Sequence, residues 1–340
     1  MVHPQLLPVT IILALAFVAL GAAAWALARR WKKLGQRTRW IVALALAPLE
    51  LLVWISIYAW YIEPATLAVR RVEIVSEHWR GAPITIGVIA DTHVGGPHVD
   101  SARVLRIVQQ MNGLRPDLVV LLGDYVNGHH RAADRTPADN QEILGGIATF
   151  AALNARYGVV AVLGNHDSWY DRQAIISALQ NAGVAALSNR NIVVHRSGGQ
   201  VVIAGLEDQW TGHPDLAAAL DGAPADTDTI VLAHNPDAFA SLPAGPGLFL
   251  GAHTHCGQVT IPFVGRPILP IHNKRYGCHR IDENGKIIYV TAGIGESIQP
   301  ARFLNPPEIV LIRLSSGMPM EQPPAPTQAP APSPQPNSDN

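Results

Sequence analysis

Five short clusters in the sequence carry side chains that ligate cations: Asp91-Thr92-His93, Gly123-Asp124, Gly164-Asn165-His166-Asp167, His234-Asn235 and His253-Thr254-His255. Their donors are carboxylate oxygens, imidazole nitrogens and a neutral amide oxygen, with no thiolate. Such a set suits octahedral divalent ions such as Mn²⁺, Fe or Zn²⁺ better than a closed structural zinc site. In Asp-x-His and His-x-His, residues two apart in extended chain point the same way, so both reach one metal pair. Gly123 and Gly164 allow a tight exit of the backbone beside such ions. Taken singly, Asp91-x-His93 or Gly123-Asp124 is as well explained by an ordinary strand-ending turn, and His234 by a core histidine. Gly-Asn-His-Asp is the specific part, expected by chance on the order of once per thousand chains of this length.

Each cluster stands directly after an apolar run. Residues 84–90, 117–122 and 159–163 read as buried strands, and 101–113 carries helical spacing through Val104, Ile107, Val108 and Met111. Helices are also expected over 140–154 and 171–182. Strands alternating with helices predict a βαβαβ core with a largely parallel sheet. The later runs at 192–205, 229–233, 247–250, 286–291 and 308–314 predict a second sheet. In an open α/β sheet, ligands gather outside the carboxyl ends of the strands, where the five clusters would converge.

The order D-x-H, GD, GNHD, H, H-x-H resembles the calcineurin-like metallophosphoesterases over about residues 82–315. The stretches AVLGNHDSWYD, AHNPDAF, HTHCGQV and GIGESIQPARFLNPPEIVLI resemble the membrane-associated bacterial branch similar to the YaeI and YkuE phosphoesterases. One departure is Ala252, where the family usually has glycine. The resemblance implies a four-layer α/β/β/α sandwich around two divalent ions, with Mn²⁺ expected and Fe, Zn²⁺ or Mg²⁺ as alternatives. It implies that one ion takes Asp91, His93, Asp124 and His255, and the other Asp124, Asn165, His234 and His253. Asp124 and a hydroxide would bridge ions ~3.5–4 Å apart, and that hydroxide would attack phosphorus in line. His166 would protonate the leaving group or stabilise charge in the transition state, with Asp167 orienting its ring.

Trp169, Tyr170 and Trp210 either wall a substrate pocket or belong to the core. His129-His130-Arg131 either contacts a phosphate or lies in a solvated loop. The chain has only two cysteines, Cys256 and Cys278, too few for a disulfide scaffold or a thiolate metal site. Outside the cytoplasm they could form a bridge that braces the loop after His255.

The ends of the chain differ from its middle. Residues 1–62 hold two apolar runs, about 6–28 and 41–62, long enough to span a hydrocarbon core of about 30 Å. Between them lie Arg29, Arg30, Lys32, Lys33, Arg37 and Arg39 with no acid. The positive-inside rule puts this hinge in the cytoplasm, and so both termini and the catalytic domain on the outer, periplasmic side of the cell (inner) membrane. Glu50 in the second run reads either as a functional contact or as a carboxyl packed against the first helix. Residues 63–81 read as a connector, 82–316 as the metallophosphoesterase domain, and 317–340 as a disordered proline-rich tail.

The chain has 25 Lys+Arg against 26 Asp+Glu, for a net charge of −1, and shows no basic stripe with interleaved aromatics. No nucleic-acid partner is expected. The expected function is a membrane-anchored phosphodiesterase or pyrophosphatase acting on a phosphoester, possible substrates including lipid-linked ones. UDP-2,3-diacylglucosamine, cleaved by some related enzymes in lipid A synthesis, is a named alternative. The alternative of another class is a metal-binding envelope interaction protein with little catalysis, whose signature would be a missing ligand.

Overall fold

Apolar residues distributed around the whole circumference of a helix, rather than along one stripe, need apolar surroundings on every side. The computed structural model, which describes residues 3–317 except Gly198 and Ala244, forms two such helices, α1 (Leu7–Arg30) and α2 (Gln36–Ile57). Ile12, Leu15, Val18, Ile41, Leu44 and Leu51 are all exposed on them. Both helices are long and apolar enough to cross a membrane. Helix α2 begins before the apolar run itself, taking Arg37 and Arg39 into its first turns. Glu50 lies on its exposed surface rather than packed against α1.

The chain then runs through β1 (Ala68–Ser76), β2 (Ile84–Ile89), α3 (Ser101–Gly113), β3 (Leu118–Leu121), α4 (Pro137–Ala148), β4 (Val159–Ala161), α5 (Asn165–Asn181) and β5 (Ala185–Ala186). It continues with β6 (Arg190–Arg196), β7 (Gly199–Gly205), α6 (Leu216–Ala219), β8 (Asp228–Leu232), β9 (Leu248–Gly251), β10 (His279–Glu283), β11 (Lys286–Val290) and β12 (Glu308–Ser316). Two six-stranded sheets result, ordered β1-β12-β2-β3-β4-β5 and β10-β11-β9-β8-β7-β6. Strands β2 to β5 are parallel, as are β7, β8, β9 and β11.

Ile86, Val88 and Val120 of the first sheet meet Ile203, Ile230 and Leu250 of the second in one dry core. The other face of the first sheet packs Val119 and Leu121 against Val104, Ile107, Ile143 and Ile175 of α3, α4 and α5. Strands buried on both faces read as continuous apolar runs, which is why they were visible in the sequence. The expected four layers are present, but the fourth is thin. Over the outer face of the second sheet lie four-residue α6, a 3-10 turn at Pro236–Ser241 and the side chain of Tyr276.

Three expectations are corrected. Residues 68–76 are not connector but strand β1, paired in parallel with β12 along its whole length. Arg70, Arg71 and Glu73 interrupt its apolar residues, as suits a half-buried edge strand, and hid it from a hydrophobicity reading. Strand β12, grouped by sequence order with the second sheet, belongs to the first, antiparallel to β2. Helix α5 also starts at Asn165 rather than 171. Its backbone breaks at Asp171, which caps the second half through the N–H of Ala174 at 3.0 Å. The tail from 318 onward lies outside the described residues.

Candidate metal centre

The carboxyl ends of β2, β3 and β4 in one sheet and of β8 and β9 in the other face a common space, and there the structure gathers Asp91, His93, Asp124, Asn165, His166, His234, His253 and His255. All are buried. Turning so sharply out of a strand forces unusual backbone angles. Asp91, His93, Asp124, His253 and His255 all have φ between +45° and +68°. Such strain in non-glycine residues collects at functional sites. Gly164 fits for a different reason: a Cβ there would run into the Asp124 carboxylate and its backbone nitrogen.

Hydrogen bonds fix which ring nitrogens face the space. Nδ1 of His234 donates to the carbonyl of Leu122 at 2.7 Å, leaving the Nε2 lone pair inward. Nε2 of His253 donates to Pro270 O at 3.1 Å, leaving Nδ1 inward. These two inward nitrogens are 3.1 Å apart, and Asp124 Oδ2 is 3.1 Å from His234 Nε2. His93 donates from Nδ1 to Val126 O at 3.1 Å, and its Nε2 stands 3.1 Å from His255 Nε2. Asp91 Oδ2 and both amide atoms of Asn165 are buried with no hydrogen-bond partner among the described residues. Converging lone pairs and unpartnered buried oxygens are costly in a dry site unless a cation satisfies them. The donors therefore fit divalent ions. The compact groups Asp91/His93/His255 and Asp124/His234/His253 each gather members of one expected half, and a third, His93/Asp124/His166, lies between them. His166 also comes close, its Nε2 3.9 Å from Asp124 Oδ2.

The electrostatics agree. Burial, with the charge of nearby His166, lowers His93 to about 3, and burial beside His234 does the same to His253, so both rings are neutral donors at neutral pH. For His234 burial opposes the charged form, but the carboxylates of Asp124 and Asp91 outweigh it and raise the group to about 10. Asp91 rises to about 7 through burial and, less, the Asp124 charge. Without a cation, then, one proton on His234 occupies the positive position. A divalent ion must expel it, so metal binding is expected to release protons and to weaken as pH falls through 7, where Asp91 also protonates. Calorimetric Mn²⁺ titrations in buffers of different ionisation enthalpy measure this. Identical apparent heats across buffers at pH 8 would contradict it.

Asp167 does not orient His166, contrary to expectation. Its carboxylate accepts the backbone N–H groups of Gly164 and Asp124 at 2.9 and 2.8 Å through Oδ2, and that of Tyr125 at 2.7 Å through Oδ1. Asp167 is acceptor-only when ionised and sits three residues into α5, so it ties the GD turn to the start of that helix. The His166 ring is held instead by Gly128 O, 2.8 Å from Nδ1, with Nε2 turned to the cavity.

A cavity of about 270 Å³ opens over the cluster, lined by Asp124, Asn165, His166, His253 and His255 on its floor. Trp169, Trp210 and His129 form one wall, resolving those alternatives in favour of the pocket. Tyr170 belongs to the core, donating to Asn140 Oδ1 at 2.7 Å. His130 and Arg131 lie away from the cavity, and Arg131 pairs with Asp134 at 3.1 Å. The opposite wall is apolar, built from Val259, Pro267, Ile268, Pro270, Ile298 and Ala301.

Sequence reasoning missed a supporting shell after β11. Arg302, fully buried, donates from Nη2 to Ala292 O and Gly295 O at 2.9 and 2.6 Å, clamping the loop whose glycines lie against Asp91 and His93. Asn305 Nδ2 donates to His255 O at 2.7 Å, and Glu63, at the end of the α2 segment, accepts the N–H groups of Leu304 and Asn305. The signal was the stretch GIGESIQPARFLNPPEIVLI, visible as family text but without donor types that suggest metal binding. Cys256 and Cys278 form a disulfide with Cα atoms 4.8 Å apart, fastening the loop after His255 to the start of β10.

Comparison with known proteins agrees with the geometry. The calcineurin-like phosphoesterase family model matches residues 84–257, a stretch that holds every expected site residue. The chain is 31% identical over 218 residues to the uncharacterized metallophosphoesterase YkuE of Bacillus subtilis, covering 62% of this chain and 72% of that one. It is 31% identical over 267 residues to the phosphodiesterase YaeI of Escherichia coli, covering 76% and 92%. A Danio rerio transmembrane protein with metallophosphoesterase domain is 29% identical over 261 residues, covering 72% of this chain and 55% of that relative.

Proposed function

The chain belongs to the calcineurin-like phosphoesterases, metal-dependent hydrolases of phosphoric esters, and on that premise we propose that it is a membrane-anchored phosphodiesterase or pyrophosphatase with a dinuclear centre. The observation that carries this reading is the pair of facing nitrogen couples around Asp124, with Asn165 and Asp91 offering unpartnered oxygens beside them. Asp91, His93, Asp124 and His255 would hold one ion, and Asp124, Asn165, His234 and His253 the other. When bound, two such ions supply a water of lowered pKa and positive charge for the phosphoryl oxygens.

The chain's own residues do the rest. Asp167 and Gly164 hold Asp124 in its strained turn. His166, fixed through Gly128 O, presents Nε2 to the cavity where a leaving oxygen needs a proton. Trp169 and Trp210 line one side of the cavity. The test is hydrolysis of a phosphodiester and a phosphomonoester by the full chain in detergent with Mn²⁺, Fe, Zn²⁺ or Mg²⁺. Mn²⁺-dependent diester turnover that stops on chelation is expected, and inactivity with every ion would sink the reading. The interaction-protein alternative predicts a lost donor, whereas all seven metal-binding residue types stand at the site.

The membrane reading is supported by two exposed apolar helices and by the basic hinge between them. The disulfide favours an oxidising compartment, in line with an outward domain and against a cytoplasmic UDP-lipid as substrate. A reporter fused after Ser316 is expected to read out on the external face in intact cells. A cytoplasmic readout would reverse the orientation and make UDP-2,3-diacylglucosamine the leading substrate.

A further inference from the structure

The segment Val259–Ile268 forms the apolar wall's outer edge and is built unlike a solvent loop. Ile261 and Gly265 exchange backbone hydrogen bonds, each 2.8 Å, which hold Phe263 at the tip of a tight hairpin. Phe263 is fully exposed, with φ of +67°. Val264 and Ile268 are exposed beside it. Ile298 on the same wall and Leu304 next to Phe303 are exposed too, with φ of +33° and +53°. A bulky apolar residue in the left-handed region costs free energy, and here three such residues are exposed, with Ile298 on the cavity wall itself. Arg266 and Lys274 flank the hairpin, giving the apolar tip and basic shoulders of an interfacial segment.

What covers this surface is indicated by what it is joined to. The root of the hairpin pairs with Phe303: Thr260 N donates to Phe303 O at 2.8 Å, and Phe303 N to Gln258 O at 3.0 Å. Phe303 in turn packs edge-on against Tyr58, with centroids 6.2 Å apart, and Arg302 N donates to Ala59 O at 2.9 Å. Tyr58 and Ala59 continue α2 in the last turns of its apolar run. His98 is 3.0 Å from Trp60 O and Arg103 donates to Thr66 O at 2.9 Å, so the domain sits directly on this end of the hairpin. Phe263 lies four residues from the Val259–Phe303 bridge, within about 13 Å of it along the chain.

We propose that the Val259–Ile268 hairpin, with Ile298 and Leu304, seats in the lipid headgroup layer, so that the cavity opens at the bilayer surface and takes phosphoesters whose apolar part stays in the membrane. The apolar wall of Val259, Pro267, Ile268 and Ile298 then continues from the bilayer to the metal donors, while the polar floor receives the phosphate. The substrate part of this inference rests on the phosphoesterase reading; the docking of the hairpin does not.

Two measurements on the full chain test it. In phosphatidylcholine nanodiscs doped with a nitroxide lipid labelled near the headgroup, a fluorophore on Phe263→Cys is expected to be quenched several-fold more than one on Asp226→Cys. Asp226 is exposed at the opposite end of the strands, beside Arg80. Equal quenching would overturn the docking. In the second, phosphatidic acid placed in the disc competes with a soluble diester. It is expected to inhibit at a bulk concentration at least tenfold below glycerol phosphate, and F263S/V264S is expected to remove most of that advantage while keeping soluble turnover. No advantage in the wild type would overturn the lipid substrate class. Absent soluble turnover would instead defeat the phosphoesterase reading, with the quenching result still deciding the docking.

Discussion

Asp124→Ala abolishes divalent-metal-dependent diester hydrolysis, a loss of at least ~10³-fold and hence at least ~4 kcal/mol of transition-state stabilisation. The size follows from position. Asp124 is the residue whose oxygens approach His234, His93 and His166 together, at 3.1, 3.8 and 3.9 Å, so its loss unmakes both halves of the site at once. His253→Ala gives a loss of similar order by emptying one half, because its inward Nδ1 has no substitute donor nearby. The fold survives both changes. Burial opposes the charge of Asp124, but His234, His166 and His93 together hold its carboxyl well below the usual carboxylate range. Removing it takes away the main charge that raises His234, Asp91 and Asp208 contributing less, and the core between the sheets is untouched. Near-UV circular dichroism and the thermal midpoint of the metal-free variants check this alongside the activity. Full activity in either variant would remove the site assignment.

His166→Gln separates catalysis from metal binding. His166 is fixed by Gly128 O and aims Nε2 at the cavity, so its loss lowers kcat by about 10²–10⁴-fold. Metal affinity changes little, since the seven other donors remain in place. The dependence on leaving group is diagnostic. A diester releasing para-nitrophenolate needs little protonation and is expected to lose less than one releasing an alkoxide. Equal losses would assign His166 to charge stabilisation instead, and an unchanged kcat on both would remove it from the reaction.

The sequence made the site legible because ligands must be of particular chemical types and must leave strands at short intervals. The five clusters could be named from that alone, the resemblance picked out Asp91, His93, Asp124, Asn165, His234, His253 and His255 within them, and the structure brings these together. The strands feeding them were visible because burial on both faces leaves few polar residues, none in Leu118–Leu121 and only Thr85 in Ile84–Ile89. Strand β1 was not, since an edge strand keeps arginines and a glutamate on its surface. The place of β12 between β1 and β2 is a matter of long-range pairing that local pattern does not encode. Asp167 was assigned a role by its adjacency to His166, but in the first turn of a helix a carboxylate at the third position bonds backward to N–H groups. Arg302, Asn305 and Glu63 act through backbone carbonyls and amides, contacts that depend on tertiary position and leave no spacing signature.

The most direct test of the account is a stoichiometric Mn²⁺ titration of the metal-free full chain in detergent, following hydrolysis of bis-(para-nitrophenyl) phosphate and the electron paramagnetic resonance spectrum together. Hydrolysis is expected to rise with binding of a second equivalent and to plateau there, with the spectrum of an exchange-coupled Mn²⁺ pair. Hydrolysis that saturates at one equivalent with an isolated-ion spectrum, or no hydrolysis after two are bound, would contradict it.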